Sequence, residues 1–167
     1  MIFFRKLLAW PAAFGLAASA CIFIWSFLGG TMDRLGVRFV WLSLGIFLLL
    51  LPMFAVEHVA VRNRTFFWKE FGAARSNWII PAIKILGLFF FINFGVFLLA
   101  GHAASPEIKN GAYVLNNHGQ IIRTLTQPEY LRLKGGELRL FASGWMFFYS
   151  VALTYWWFPR RSSETTR

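Results

Sequence analysis

Residues 79–101 read IIPAIKILGLFFFINFGVFLLAG, with Lys84 and Asn93 as the strongly polar side chains. A helix rising 1.5 Å per residue needs about 20 apolar residues to cross a hydrocarbon layer of roughly 30 Å, and this run is long enough. Lys84 falls one turn inside the start, where its stem can lie along apolar surface while the ammonium reaches the interface. Pro81 sits in the first turn, where a missing N–H costs nothing. The stretch is therefore expected to span a membrane. It sets the frame in which the rest of the chain is read.

Three further runs share its character: Leu7 to Leu28, Phe39 to Val56 and Leu140 to Phe158. None has an ionisable residue in its middle. Pro11 is expected in the first turn of its helix, Pro52 inside the second span as a kink, and Pro159 just past the fourth as a stop. The whole chain is 57% hydrophobic and 14% charged, with 20 Phe and 8 Trp. Soluble domains carry about 25% charged residues, so a soluble fold is excluded. The fold class expected is an all-α membrane protein: a four-transmembrane-helix bundle of 167 residues forming one domain.

The formal charge of +10 could suggest nucleic acid. The basic residues, however, stand in small groups beside apolar runs, without a basic-aromatic nucleic-acid motif, so juxtamembrane charge accounts for them. Lys and Arg also set the orientation. With the N-terminus in the cytoplasm, nine lie inside: Arg5, Lys6, Arg62, Arg64, Lys69, Arg75, Arg160, Arg161 and Arg167. Seven lie outside: Arg34, Arg38, Lys109, Arg123, Arg132, Lys134 and Arg139. Arg5-Lys6 and Arg160-Arg161 abut span ends, which favours both termini in the cytoplasm. Ala18-Ser19-Ala20 before Cys21 is similar to a leader cleavage site, but the apolar run continues as CIFIWSFL. A leader core of about 7–15 residues would not need it, so the first span is expected to remain uncleaved.

Between spans two and three, RNRTFFWKEFGAARSNW (Arg62 to Trp78) places Phe67, Phe71, Ala74 and Trp78 at helical spacing. Arg64, Lys69 and Arg75 can reach lipid phosphates from the other side, so a cytoplasmic interfacial helix is expected. Membrane lipids are its expected partners.

Residues 102–137 are polar enough to leave the bilayer. Tyr113-Val114-Leu115 and Ile121-Ile122 flank Asn116-Asn117-His118-Gly119, which reads as a hairpin with a four-residue loop. Thr126 with Glu129 three positions on forms a capping box, with Pro128 in the first turn, and the short helix is expected to stop at Gly135-Gly136. A lone hairpin is marginal in water and must lean on something. A protein partner on the extracytoplasmic side is the functional expectation, with Tyr113, His118, Ile121, Arg123 and Tyr130 as contact residues.

Catalytic chemistry finds little support. Asn93, Ser143 and Thr154 are the intramembrane polar groups, expected to join helices or bond their own backbone, and in a competing reading to line a small transporter or channel component. Glu57 and His58 are neighbours whose helical positions point about 100° apart. His102 and His118, with Glu107 and Glu129, lack the short spacing of a zinc motif. One cysteine, Cys21, excludes an intramolecular disulfide. No catalytic residue, metal or cofactor is expected, and a membrane enzyme stands last among the readings. A homo-oligomer stays open.

The stretch GAYVLNNHGQIIRTLTQPEYLRLKGGELRLFASGWMFFYS, Gly111 to Ser150, resembles the C-terminal part of small, largely uncharacterised bacterial inner-membrane proteins. These carry a Thr/Ser-x-x-Glu-Tyr loop segment and then a Trp-Met entry to the last span. The resemblance implies a bacterial inner membrane and four spans, and no reaction. Combined with the residue reading, the function expected is non-catalytic binding. Immunity against a membrane- or envelope-targeting toxin is its most specific form.

Overall fold

The computed structural model describes residues 2–60, 78–99 and 104–158, the side chains of 2, 3 and 56–60 excepted. The described residues are mostly helical, at 78%. Helix α1 (Ile2–Trp25) passes through a short 3-10 turn into the four-residue α2 (Met32–Leu35), and α3 covers Val37–Ala60. Helix α4 is Ile79–Leu99. Strands β1 (Ser105–Lys109), β2 (Ala112–Asn117) and β3 (Gln120–Thr124) precede α5 (Gln127–Trp157). Among the described residues three helical segments are long and apolar enough to cross a membrane: Phe4–Leu28, Val37–Ala55 and Ile79–Leu99. The expected interfacial helix, with Arg64, Lys69 and Arg75, lies outside the described residues, as do His102 and the side chains of Glu57 and His58.

Helix α5 is the axis on which the others pack. It runs antiparallel to α1 along nearly its whole length. At one end Phe4 meets Trp156 edge-on at 6.2 Å, and Arg5 Nη2 donates to the carbonyls of Tyr155 (2.6 Å) and Phe158 (3.2 Å). These are orphan acceptors at a helix C-terminus, where a cation also meets the negative end of the dipole. At the other end a side chain on Gly135 would press on the Ser26 carbonyl. Between them α1 buries Ala9, Ala12, Gly15 and Ser19, a stripe of small residues that lets two backbones approach. Ala13 is half-buried and Ala17 exposed, so both lie off this stripe.

The other helices are held by different chemistry. Tyr149 Oη donates to the Leu42 carbonyl (2.7 Å) and Trp156 Nε1 to the Leu49 carbonyl (3.2 Å), joining α3 to α5. Helix α4 meets α5 through a reciprocal fit. Gly87 accommodates Phe147, Gly144 accommodates Phe90, and the two rings stack with planes 2° apart. The core that results is centred on Met53, Leu138, Ala142, Trp145 and Tyr149.

Two expectations need correction. The short helix does not stop at Gly135-Gly136; α5 continues through both glycines to Trp157. Each glycine costs a helix about 1 kcal/mol against alanine, but at Gly135 the missing side chain is what admits the Ser26 carbonyl. Packing outweighs propensity there. Secondly, Pro11 is inside α1 rather than in its first turn, because that helix begins at Ile2 and not near Leu7. Pro52 is likewise inside α3, which carries on past it, and Pro81 is in the first turn of α4, as expected.

Candidate functional site

The polar segment forms a three-stranded antiparallel sheet in the order β1-β2-β3. Two glycine-containing turns build it. Asn110-Gly111 takes φ 50° and 80° between β1 and β2, and His118-Gly119 takes 49° and 94° between β2 and β3. Paired positive φ values match the right-handed twist of the strands they connect, which is why Asn-Gly and related pairs dominate two-residue hairpins. The β2–β3 hairpin is the one expected from sequence, although its turn is two residues, since Asn117 already pairs with Gln120. Strand β1 precedes the hairpin that the sequence predicts. Its signal was present in Lys-Asn-Gly-Ala-Tyr, an Asn-Gly turn before a β-favouring run.

A register shift at Leu115/Asn116 pairs these residues with Arg123 and Ile121, leaving Ile122 as the extra residue of a bulge. Bulges at edges twist a strand and re-aim its side chains. Here Ile121 and Ile122 are each 55% exposed, and Ile108 on β1 is 58% exposed. Every residue of β3 is exposed.

The sheet is fastened to the helices on its other side. The Tyr113 ring lies 4.8 Å from that of Tyr130, and the buried Tyr130 hydroxyl donates to Asp33 Oδ2 at 2.8 Å. Leu125 N–H donates to the Tyr113 carbonyl at 2.8 Å. Ser105 Oγ donates to Glu137, which also pairs with Lys134 at 3.1 Å. At the start of α5 the capping box is complete: the Thr126 side chain accepts from Glu129 N–H, and Glu129 accepts from Thr126 N–H at 2.8 Å. Arg123 adds an ion pair to Glu129 at 3.1 Å. The Thr126 backbone N–H foremost, then Arg123, holds the Glu129 carboxyl down at about 2. Burial foremost, then the Asp33 carboxylate, pushes the Tyr130 phenol well above its ordinary value.

The five expected contact residues thus divide. Ile121, Arg123 and His118 stay on the surface, His118 at the tip of a turn. Tyr113 is half-buried and Tyr130 buried, so these two form the mount rather than the presenting face. Sequence reading missed Ile108 and Ile122 on the face and Asp33 in the mount. The expected intramembrane polar groups are not brought together. Asn93 donates to the Phe89 carbonyl of its own helix (2.8 Å) instead of joining a neighbour, and Ser143 donates to Leu140 (2.8 Å). Thr154 is buried on α5 three turns beyond Ser143. Among the described residues no group of three or more His, Cys, Asp or Glu is placed to hold a metal.

No protein-family model, curated protein or solved structure matches this chain.

Proposed function

We propose that the chain is a non-catalytic bacterial inner-membrane protein that recognises a protein partner through its extracytoplasmic sheet. In this reading α5 is a fourth span and both termini are cytoplasmic. The clasp of Arg5 on the last carbonyls of α5 supports an even number of crossings, since it holds the start of α1 and the end of α5 at one level. Helix α5 is less apolar than the other long helices because its first half carries Glu129, Arg132, Lys134, Glu137 and Arg139. Beyond Leu140 its Ser143, Gly144, Tyr149, Ser150 and Thr154 are buried against protein.

The observation that carries the function is the exposed edge strand β3, with Ile121 and Ile122 uncovered, on a mount locked by Tyr130 and Asp33. An unpaired strand edge is a template for another strand, and exposed side chains along it supply selectivity. Immunity is the most specific form of this reading: capture of a toxin on the outer side.

The test places a photo-crosslinking residue at Gln120, exposed on the same strand, in the full chain in native membranes. One partner band is expected, lost in Ile121→Asp/Ile122→Asp and absent when the crosslinker is placed at Trp41 instead. Capture that survives the double substitution counts against the edge as the recognition element. Topology is read separately, from labelling of a cysteine at His118 in a Cys21→Ser background. Modification in intact cells is expected, and modification only after inner-membrane permeabilisation reverses the orientation.

A further inference from the structure

Helices α1 and α3 diverge above Tyr149 and leave a groove of about 700 Å³. Its wall on α1 is the stripe Pro11, Phe14, Ala18, Cys21 and Trp25, which at 1.5 Å per residue is about 21 Å deep. One leaflet of a bilayer is roughly 15 Å of hydrocarbon. The Tyr149 floor presents ring rather than donor, because its hydroxyl is spent on the Leu42 carbonyl. Polarity collects at one end alone, where Arg34 and Arg38 line the mouth beside Trp25 and Trp41.

Those two arginines are unpaired in charge. Both are exposed, and among the described residues neither makes an ion pair. Among the described residues Arg34 reaches only the Gly29 carbonyl, at a long 3.4 Å. The neighbouring acid, Asp33, is already held by Tyr130. The mouth therefore holds two guanidinium groups at the end of an apolar channel, and none of the lining residues is acidic.

We propose that this groove binds one anionic phospholipid of the leaflet on the side of the sheet, an acyl chain lying along α1 and its phosphate on Arg34 and Arg38. Guanidinium groups match phosphate oxygens in a fork geometry. The chain alone gives no selectivity, since lipid tails are as apolar as the groove, so the arginines choose the lipid. An apolar helix is a poorer occupant, because it brings no anion to the two guanidinium groups. The inference needs α1 and α3 to lie in a bilayer and is independent of what the sheet recognises.

Cys21 is exposed on the groove wall and is the chain's single cysteine, so it reports occupancy without substitution. The purified full chain in detergent is titrated with phosphatidylglycerol or phosphatidylethanolamine, and the rate of Cys21 modification by N-ethylmaleimide is followed. Phosphatidylglycerol is expected to protect Cys21 with about 25-fold higher apparent affinity, fivefold for each arginine. Arg34→Gln/Arg38→Gln is expected to reduce that preference to near unity while the circular dichroism spectrum stays unchanged. Equal protection by both lipids, or a preference that survives the double variant, overturns the proposal. Protection that rises with protein concentration without lipid also overturns it, and assigns the groove to a second copy of the chain.

Discussion

The Tyr130 hydroxyl and the Asp33 carboxylate, 97 positions apart in the chain, meet at 2.8 Å and tie the sheet to the α1–α3 connection. One residue belongs to the first turn of α5 and the other to the four-residue α2. The sheet is therefore referenced to both ends of the chain, and its exposed edge is held against a fixed background.

Loss of that bond should loosen the sheet without unfolding the helices. Tyr130→Phe keeps the ring on Tyr113 and removes a hydrogen bond to a charged group, which is worth about 1.5–3 kcal/mol. Amide exchange in β2 and β3 is expected to accelerate by roughly tenfold or more, while α4 is unaffected. Unchanged exchange in the strands would assign the mount to the Tyr113–Tyr130 ring contact alone.

The capping box should carry a low-pH signature. Glu129 has an ordinary value of 4.5 and is held at about 2 in the folded chain. A carboxyl depressed on folding contributes its full stabilisation above its unfolded value, and the contribution is lost as pH falls through the folded one. The Thr126 amide resonance in detergent is thus expected to be flat from pH 7 to about 4.5 and to titrate with a midpoint near 2. Glu129→Gln should abolish the titration, and Arg123→Ala should move the midpoint upward. A wild-type midpoint near 4.5 would show that the box does not hold in solution.

Two glycines beside Tyr149 should differ in whether Tyr149→Phe rescues their replacement by alanine. A methyl group on Gly45 would press on the Tyr149 hydroxyl, with the nearest ring carbon at 3.6 Å, whereas one on Gly15 would fall among the ring carbons. Overpacking of this kind costs about 1–3 kcal/mol. Gly45→Ala is expected to lower the melting temperature and to be largely rescued by Tyr149→Phe, while Gly15→Ala is not rescued. Thermal scans of the two double-mutant cycles in detergent check this.

Much of the architecture was legible in composition and period. Apolar length alone marks α1, α3 and α4, because a hydrocarbon layer imposes a minimum run of apolar residues. Thr126, Pro128 and Glu129 announce the start of α5, since capping is a local contest among neighbouring N–H groups. The hairpin around His118-Gly119 was equally local.

What the sequence could not decide were contacts between distant segments. Gly135-Gly136 reads as a stop by propensity, and only the Ser26 carbonyl lying against Gly135 explains why the helix continues. Tyr130 reads as a surface aromatic until Asp33 is found beside it, and Arg38 as a topology charge until a groove opens beneath it. Local chemistry and the bilayer fix which segments are helix, strand or turn. Which side chains face one another is set by close packing among elements far apart in the chain, and that arrangement exists only once the chain has folded.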